Sequence, residues 1–172
     1  MRSGDPGGRW RDVLIAPGVR LRPETEADES FLRRLFIANR RGEFAALGMA
    51  GPQLEHLLNS QFDLQRTHFR AAYRDADWSI VERRGEAIGR LYVAREMQGR
   101  ALFDISLLPG WAGQGIGGAL IDHVLAEARG AGRAVRLHVQ PHNPARRLYL
   151  RKGFVETGFD GADVAMRWTP HH

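Results

Sequence analysis

Apolar side chains recur along this chain with two periods, and the switches between them mark its elements. Val19 and Leu21 alternate with Arg20 and Arg22, as in a half-buried first strand, and Pro23 ends it. Thr25 then offers a helix N-cap, with Asp28 three residues on and Glu26 and Glu29 near the positive end. Phe31, Leu32, Leu35, Phe36 and Ala38 recur at helical spacing and predict a helix over 26–41. Gly48 and Gly51-Pro52 punctuate the next loop, and Leu54, Leu57, Leu58, Phe62, Phe69 and Tyr73 predict a second helix over 53–73. Segments 77–83, 86–95 and 101–108 read as strands joined by turns at Arg84-Gly85 and Gln98-Gly99, an antiparallel meander. Gly89, inside the second of them, predicts a bulge or a close backbone approach.

The third meander strand runs into the stretch that organises the rest, residues 107–118. Pro109 and Gly110 stop the strand, and Gly113, Gly115, Gly117 and Gly118 follow. Leu120, Ile121, Val124, Leu125 and Ala128 then share one stripe of a helix over 119–129. A strand over 134–140 is expected parallel to 101–108. A short helix over 144–151 ends at Gly153, and a last hairpin, 154–159 and 164–168, turns at Asp160-Gly161. The order βααβββαβαββ predicts an α/β (α+β) protein with a mixed antiparallel and parallel central sheet and helices on both faces. One domain is expected over 18–169, after a flexible tail over 1–17 in which only 13–16 are suited to packing.

The loop's glycines have a physical use. Backbone N–H groups converge at a helix N-terminus, where the dipole also favours an anion, and no Cβ holds a phosphate away. Gly113, Gly115 and Gly118 also fit the dinucleotide fingerprint G-x-G-x-x-G. A nicotinamide site needs an acidic residue closing the next strand; residues 134–140 contain none, and too little chain follows for a doubly wound sheet. The segment resembles motif A of the GCN5-related N-acetyltransferases, the GNAT superfamily, whose loop reads Arg/Gln-x-x-Gly-x-Gly/Ala. Ala112-Gly113-Gln114-Gly115-Ile116-Gly117 aligns with it, with Ala112 where the family usually carries Arg or Gln. Residues 143–154 resemble the family's second signature, Asn-x-x-Ala-x-x-Leu-Tyr-x-x-x-Gly-Phe.

The resemblance implies a GNAT-like fold and an N-acetyltransferase moving an acetyl group from acetyl-CoA, as co-substrate, to an amine in a ternary complex. The implied cofactor-binding residues are Ile105, Ser106, Leu107 and Leu108 beside the pantetheine arm, with the amide of Leu107 or Leu108 as carbonyl donor. Gly113, Gln114, Gly115, Ile116, Gly117 and Gly118 lie at the phosphates, and Asn143 of the second signature hydrogen-bonds the pantetheine arm. Arg146, in a basic cluster with Arg147, Arg151 and Lys152 that flanks this signature, is expected near the phosphates or else on a solvated helix face. Tyr149 matches the tyrosine that serves as general acid. Asp104, an acid in an otherwise apolar strand, is the first candidate base, or else a structural carboxylate paired with Arg90 or Arg95; Glu43 and His138 are the further candidates, and some members of the family use no dedicated base. Arg40, Arg41 and Glu43 border the expected acceptor groove, where the arginines suit an acidic acceptor. The acceptor class is open, a small molecule or a peptide amine, and homodimers are common in the family. The alternative is a CoA-binding sensor or partner module without catalysis, which Ala112 favours.

Composition narrows this further. With 172 residues, 43% hydrophobic and 26% charged, the chain has enough for one packed domain. The absence of cysteine excludes disulfides, thiolate catalysis and cysteine zinc sites, and His56 and His68 lack metal-site spacing, so no metal is expected. No apolar run reaches the about 18 residues of a membrane span, and residues 1–11 hold no apolar signal region, so a cytoplasmic protein is expected. A net charge of +5 and a pI near 10.6 admit nucleic acid as a partner, but no aromatic-basic surface accompanies them and none is expected.

Overall fold

The computed structural model describes residue 10 and residues 12–171. A sheet of eight strands runs through it in the order β1-β2-β3-β4-β5-β6-β8-β7. The strands are β1 (Val13–Ala16), β2 (Val19–Pro23), β3 (Ala76–Arg83), β4 (Glu86–Glu96), β5 (Gly99–Leu107), β6 (Ala134–Val139), β7 (Val155–Phe159) and β8 (Val164–Trp168). Four helices accompany them: α1 (Glu29–Ala46), α2 (Gly51–Ala72), α3 (Ile116–Gly130) and α4 (Ala145–Arg151). All neighbouring strands are antiparallel except β5 and β6.

The sheet starts earlier than the sequence suggests. Val13–Ala16 pairs with β2, and Trp10 is buried beneath α3, so these residues belong to the domain and not to a tail. The rest of the expected tail, residues 1–9 and 11, lies outside the described residues. Alternation along β3 separates two layers. Val81 packs with α3 residues Leu120, Ile121 and Val124 on one face, whereas Ile80 packs with Phe31, Leu35, Phe36 and Phe62 of α1 and α2 on the other. Helices therefore cover both faces, as expected.

Two local features shape the centre of the sheet. Opposite β4, the register of β5 slips between Leu102 and Asp104, leaving Phe103 as an extra residue. Pairing between β5 and β6 covers only Gly99↔Ala134, Arg100↔Val135 and Ala101↔Arg136. Beyond Ala101 the two strands part. Residues Phe103 to Leu107 are consequently only half-buried, although they sit mid-sheet. Gly89 answers to both sequence expectations. The register slips beside it, and a Cβ at Gly89 would stand 2.3 Å from the Ser106 carbonyl oxygen and 3.2 Å from Leu107 Cα.

Candidate active site

The gap between β5 and β6 opens into a cleft of about 920 Å³. Its floor is Ile105, Ser106 and Leu107, and one end is the glycine loop with Trp111, Ala112, Gly113, Gly115, Gly117 and Gly118. Gln140, His142, Asn143, Leu148, Tyr149 and Arg151 form the far wall, and Asn39 and Glu43 of α1 the remaining side.

Strand alternation decides which backbone groups face the gap. The Leu108 N–H donates to the Ile88 carbonyl at 2.8 Å, so Leu108 and Ser106 address β4. The amide groups of Ile105 and Leu107 then point to the opposite edge, where β6 has left. Of the two expected carbonyl donors, Leu107 faces the cleft and Leu108 is already engaged. Leu107's own carbonyl accepts from Asn39 Nδ2 at 3.1 Å, which ties α1 to the cleft floor.

The glycine loop is shaped by two left-handed residues, Gly113 (φ +76°) and Gly115 (φ +81°), with open space where a Cβ would lie. Gly115 is the N-cap of α3. The Ala119 N–H reaches back to the Gly115 carbonyl at 3.1 Å, and the N–H groups before it at the helix start have no intrahelical acceptor. Uncovered donors, a positive helix end and a cleft leading away from them fit a diphosphate with a long polar arm. Gln114 and Ile116 do not line the cleft: Ile116 is buried in the core, and Gln114 bonds Arg83 and the Gly110 carbonyl.

Tyr149 is 5% exposed, meets the cleft, and packs edge-on against Phe154 at 5.7 Å. Its hydroxyl has no hydrogen-bond partner among the described residues. Burial, with the nearby Asp104 charge adding to it, pushes its pKa up to about 12, so the phenol holds its proton throughout the neutral range. Asp104 sits differently from a free base. Arg90, 4% exposed, grips it with Nε at 3.1 Å and Nη2 at 2.7 Å, and Ser106 Oγ donates to it at 2.7 Å. It does not line the cleft, and its partner is Arg90 and not Arg95, which pairs with Asp77.

Other expected residues separate in the same way. Arg146 turns away from the cleft, bonding Glu156 at 2.7 Å and the Pro141 carbonyl at 3.2 Å. Arg40 lies over the Phe36 ring at 4.4 Å and Arg41 pairs with Glu55, so of the three acceptor-side residues only Glu43 lines the cleft. Asn143 does line it, but its Oδ1 caps the Ala145 N–H at 2.9 Å. Counted back from Leu148-Tyr149, the second signature's asparagine position falls on His142, one residue before Asn143. Asn39, Trp111, Gln140 and His142 were not singled out from sequence, whereas Arg151, of the late basic cluster, does line the cleft. Asn39 alone had a usable signal, because it stands one helical turn before Glu43.

The comparisons agree with this geometry. A split sheet with a glycine loop at a helix start and a long cleft defines an enzyme of the acyl-CoA-dependent N-acetyltransferase class. The family model described as an acetyltransferase (GNAT) domain matches residues 72–156, and the chain carries a domain of the GNAT superfamily. No curated protein matches in sequence. Among solved structures, the fold is similar to PaiA N-acetyltransferase from Thermoplasma acidophilum in complex with coenzyme A, with a TM-score of 0.68 at 17% identity, covering 88% of this chain and 98% of that one. It is also similar to an acetyltransferase from Thermus thermophilus, with a TM-score of 0.65 at 22% identity over 92% and 99%. The ribosomal L7/L12 α-N-protein acetyltransferase RimL with coenzyme A gives 0.64 at 18% over 93% and 98%. At these identities the likeness is one of fold. Among the described residues no helix is long and apolar enough to cross a membrane, and no cluster of three or more metal-ligating side chains occurs.

Proposed function

We propose that the protein transfers the acetyl group of acetyl-CoA to a primary amine that enters as a cation beside Asn39 and Glu43. The observation that carries this reading is the open edge of β5, with the Leu107 N–H on the cleft floor between the glycine loop and Tyr149. Acetyl-CoA, when bound, supplies the activated thioester. The N–H groups of Gly113 to Gly118 receive its diphosphate, and Ile105 and Leu107 pair in strand fashion with its amide arm. The Asn143 side-chain NH2, not needed for its cap, donates to the same arm.

The Leu107 N–H donates to the thioester oxygen as negative charge develops there. The amine nitrogen forms its bond to the carbonyl carbon, and the carbon–sulfur bond breaks. Tyr149 gives its proton to the departing sulfur. Glu43, the one carboxylate among the cleft-lining residues, takes the first proton from the ammonium group before attack. The second leaves the nitrogen to solvent water once the carbon–nitrogen bond has formed, and Tyr149 regains from water the proton it gave to sulfur. Asp104, saturated by Arg90 and Ser106, acts as a positioning residue for the cleft floor. A cleft that presents a carboxylate, with Arg40 and Arg41 turned aside, favours a cationic acceptor over an acidic one.

Titration calorimetry with acetyl-CoA, followed by thiol release with a panel of mono- and diamines, tests the proposal. Binding with amine-dependent thiol release that falls in Tyr149→Phe supports it. Tight binding without release for any amine points instead to a CoA-binding module. No binding at millimolar acetyl-CoA overturns both.

A further inference from the structure

The loop of this chain lacks the side chain its superfamily signature usually places beside the phosphates, since position 112 is alanine. We infer that Arg83, from the end of β3, supplies the missing positive charge, so that this chain draws its diphosphate-binding cation from the sheet and not from the loop. The inference rests on the acyl-CoA reading of the cleft and adds a residue that stands beside the glycine loop, outside the cleft lining itself.

Three observations converge on Arg83. Strand pairing puts it at the right end of the sheet: Val81 lies beside Gly89, Gly89 beside Leu107, and β5 runs from there into the loop. Its side chain is laid against that loop, with Nη1 3.3 Å from Gln114 Oε1 and the guanidinium 5.1 Å from the ring centroid of Trp111, which lines the cleft. Finally, it has no carboxylate partner among the described residues. That is notable in a chain where Arg22, Arg33, Arg66, Arg90, Arg100 and Arg136 are each held by an acid. Stacking on an aromatic ring and a weak bond to a neutral amide fix an arginine's place while leaving its charge unspent. Gln114 occupies a variable position of the signature, so its part in holding Arg83 could not be read from the motif.

Calorimetry on the full chain separates the charge from the fold. Arg83→Gln should weaken acetyl-CoA binding by about five- to tenfold and leave the affinity for S-acetylpantetheine, which has no diphosphate, unchanged. The slope of log Kd against log salt should flatten in the same variant. Adding Ala112→Arg to Arg83→Gln should restore most of the lost affinity. Equal weakening of both ligands, or wild-type acetyl-CoA affinity in Arg83→Gln, overturns the inference. If the wild-type protein binds S-acetylpantetheine but gains nothing from the diphosphate, the inference falls while the pantetheine reading stands. If it binds neither ligand, the acyl-CoA reading itself falls.

Discussion

Gly89 sets the distance between β4 and the strand that carries the Leu107 amide, and Gly89→Ala tests whether that distance matters. A Cβ there meets the Ser106 carbonyl oxygen at 2.3 Å, Leu107 Cδ2 at 2.7 Å and Leu107 Cα at 3.2 Å. The leucine methyl can rotate away, but the other two contacts are backbone. Restoring an ordinary contact requires β5 to move by about 1 Å. Overpacking of this kind costs about 1–3 kcal/mol, which in a domain of this size lowers Tm by about 3–10 °C. The catalytic cost should exceed what lost stability explains, since a misplacement of about 1 Å at a reacting centre costs about 100-fold. Thermal denaturation and steady-state thiol release, run well below the variant's Tm, separate the two. A variant with unchanged Tm and wild-type kcat would show that β5 tolerates the added methyl group and that Gly89 does not fix the cleft floor.

The remaining predictions rest on the buried charges, the cleft phenol and one helix glycine. Asp104→Asn leaves Arg90 charged and buried with half a partner and should cost about 3–5 kcal/mol in denaturant unfolding; Arg90→Met with Asp104→Leu should regain most of it. Tyr149→Phe should lower kcat by about 100-fold or more with little change in Tm, because the hydroxyl makes no hydrogen bond among the described residues. The raised Tyr149 pKa means the unfolded chain releases its proton first, so stability should fall as pH rises from about 10 towards about 12, with no loss below that window. Asp28, held by Arg22 and by the Thr25 N–H at 2.8 Å, has its pKa lowered, so its stabilisation is present above the ordinary aspartate value and should be lost as pH falls through and below it, as acid unfolding reads. Gly42→Ala, in an exposed turn of α1 with nothing near the added Cβ, should stabilise by about 0.5–1 kcal/mol.

Much of this architecture is legible because periodicity and punctuation agree. The two helices between β2 and β3, the meander, the loop and the closing hairpin all stand within a few residues of their sequence-read places. The first helix runs on to Ala46, past its expected end at residue 41, because Phe44, Ala45 and Ala46 continue it beyond Gly42. β1 escapes because four residues beside a Gly- and Pro-rich stretch carry too little alternation, and its place comes from pairing with β2. In the site, the glycine loop is written in local sequence, whereas the partners of its charges are not. Arg90 and Arg95 both suit Asp104 as partners on spacing. The extra residue at Phe103 sets the phase that puts Arg90 beside Ser106 and within reach of Asp104.

That dependence on register explains why the charged residues were the hardest to read and why they sort so clearly once folded. Glu24, with a side chain 2% exposed, is held by Arg66 and Arg70 of α2 and by the Tyr92 hydroxyl, and Asp104 by Arg90, which also reaches Gln65 at 2.8 Å. These bonds clamp α2 to one face of the sheet with buried ion pairs, and such pairs specify geometry more than they add stability. The oxygens of these acids are committed to partners within the protein, and neither acid lines the cleft. On the proposed reading, the groups that act on a substrate are those the clamp leaves out: Glu43 on the α1 side of the cleft, Tyr149 on its far wall, and Arg83 behind the loop. Glu43 and Tyr149 lie on separate elements, and the opening of β5 from β6 is what brings them around one space, whereas Arg83 stands beside the loop against Trp111.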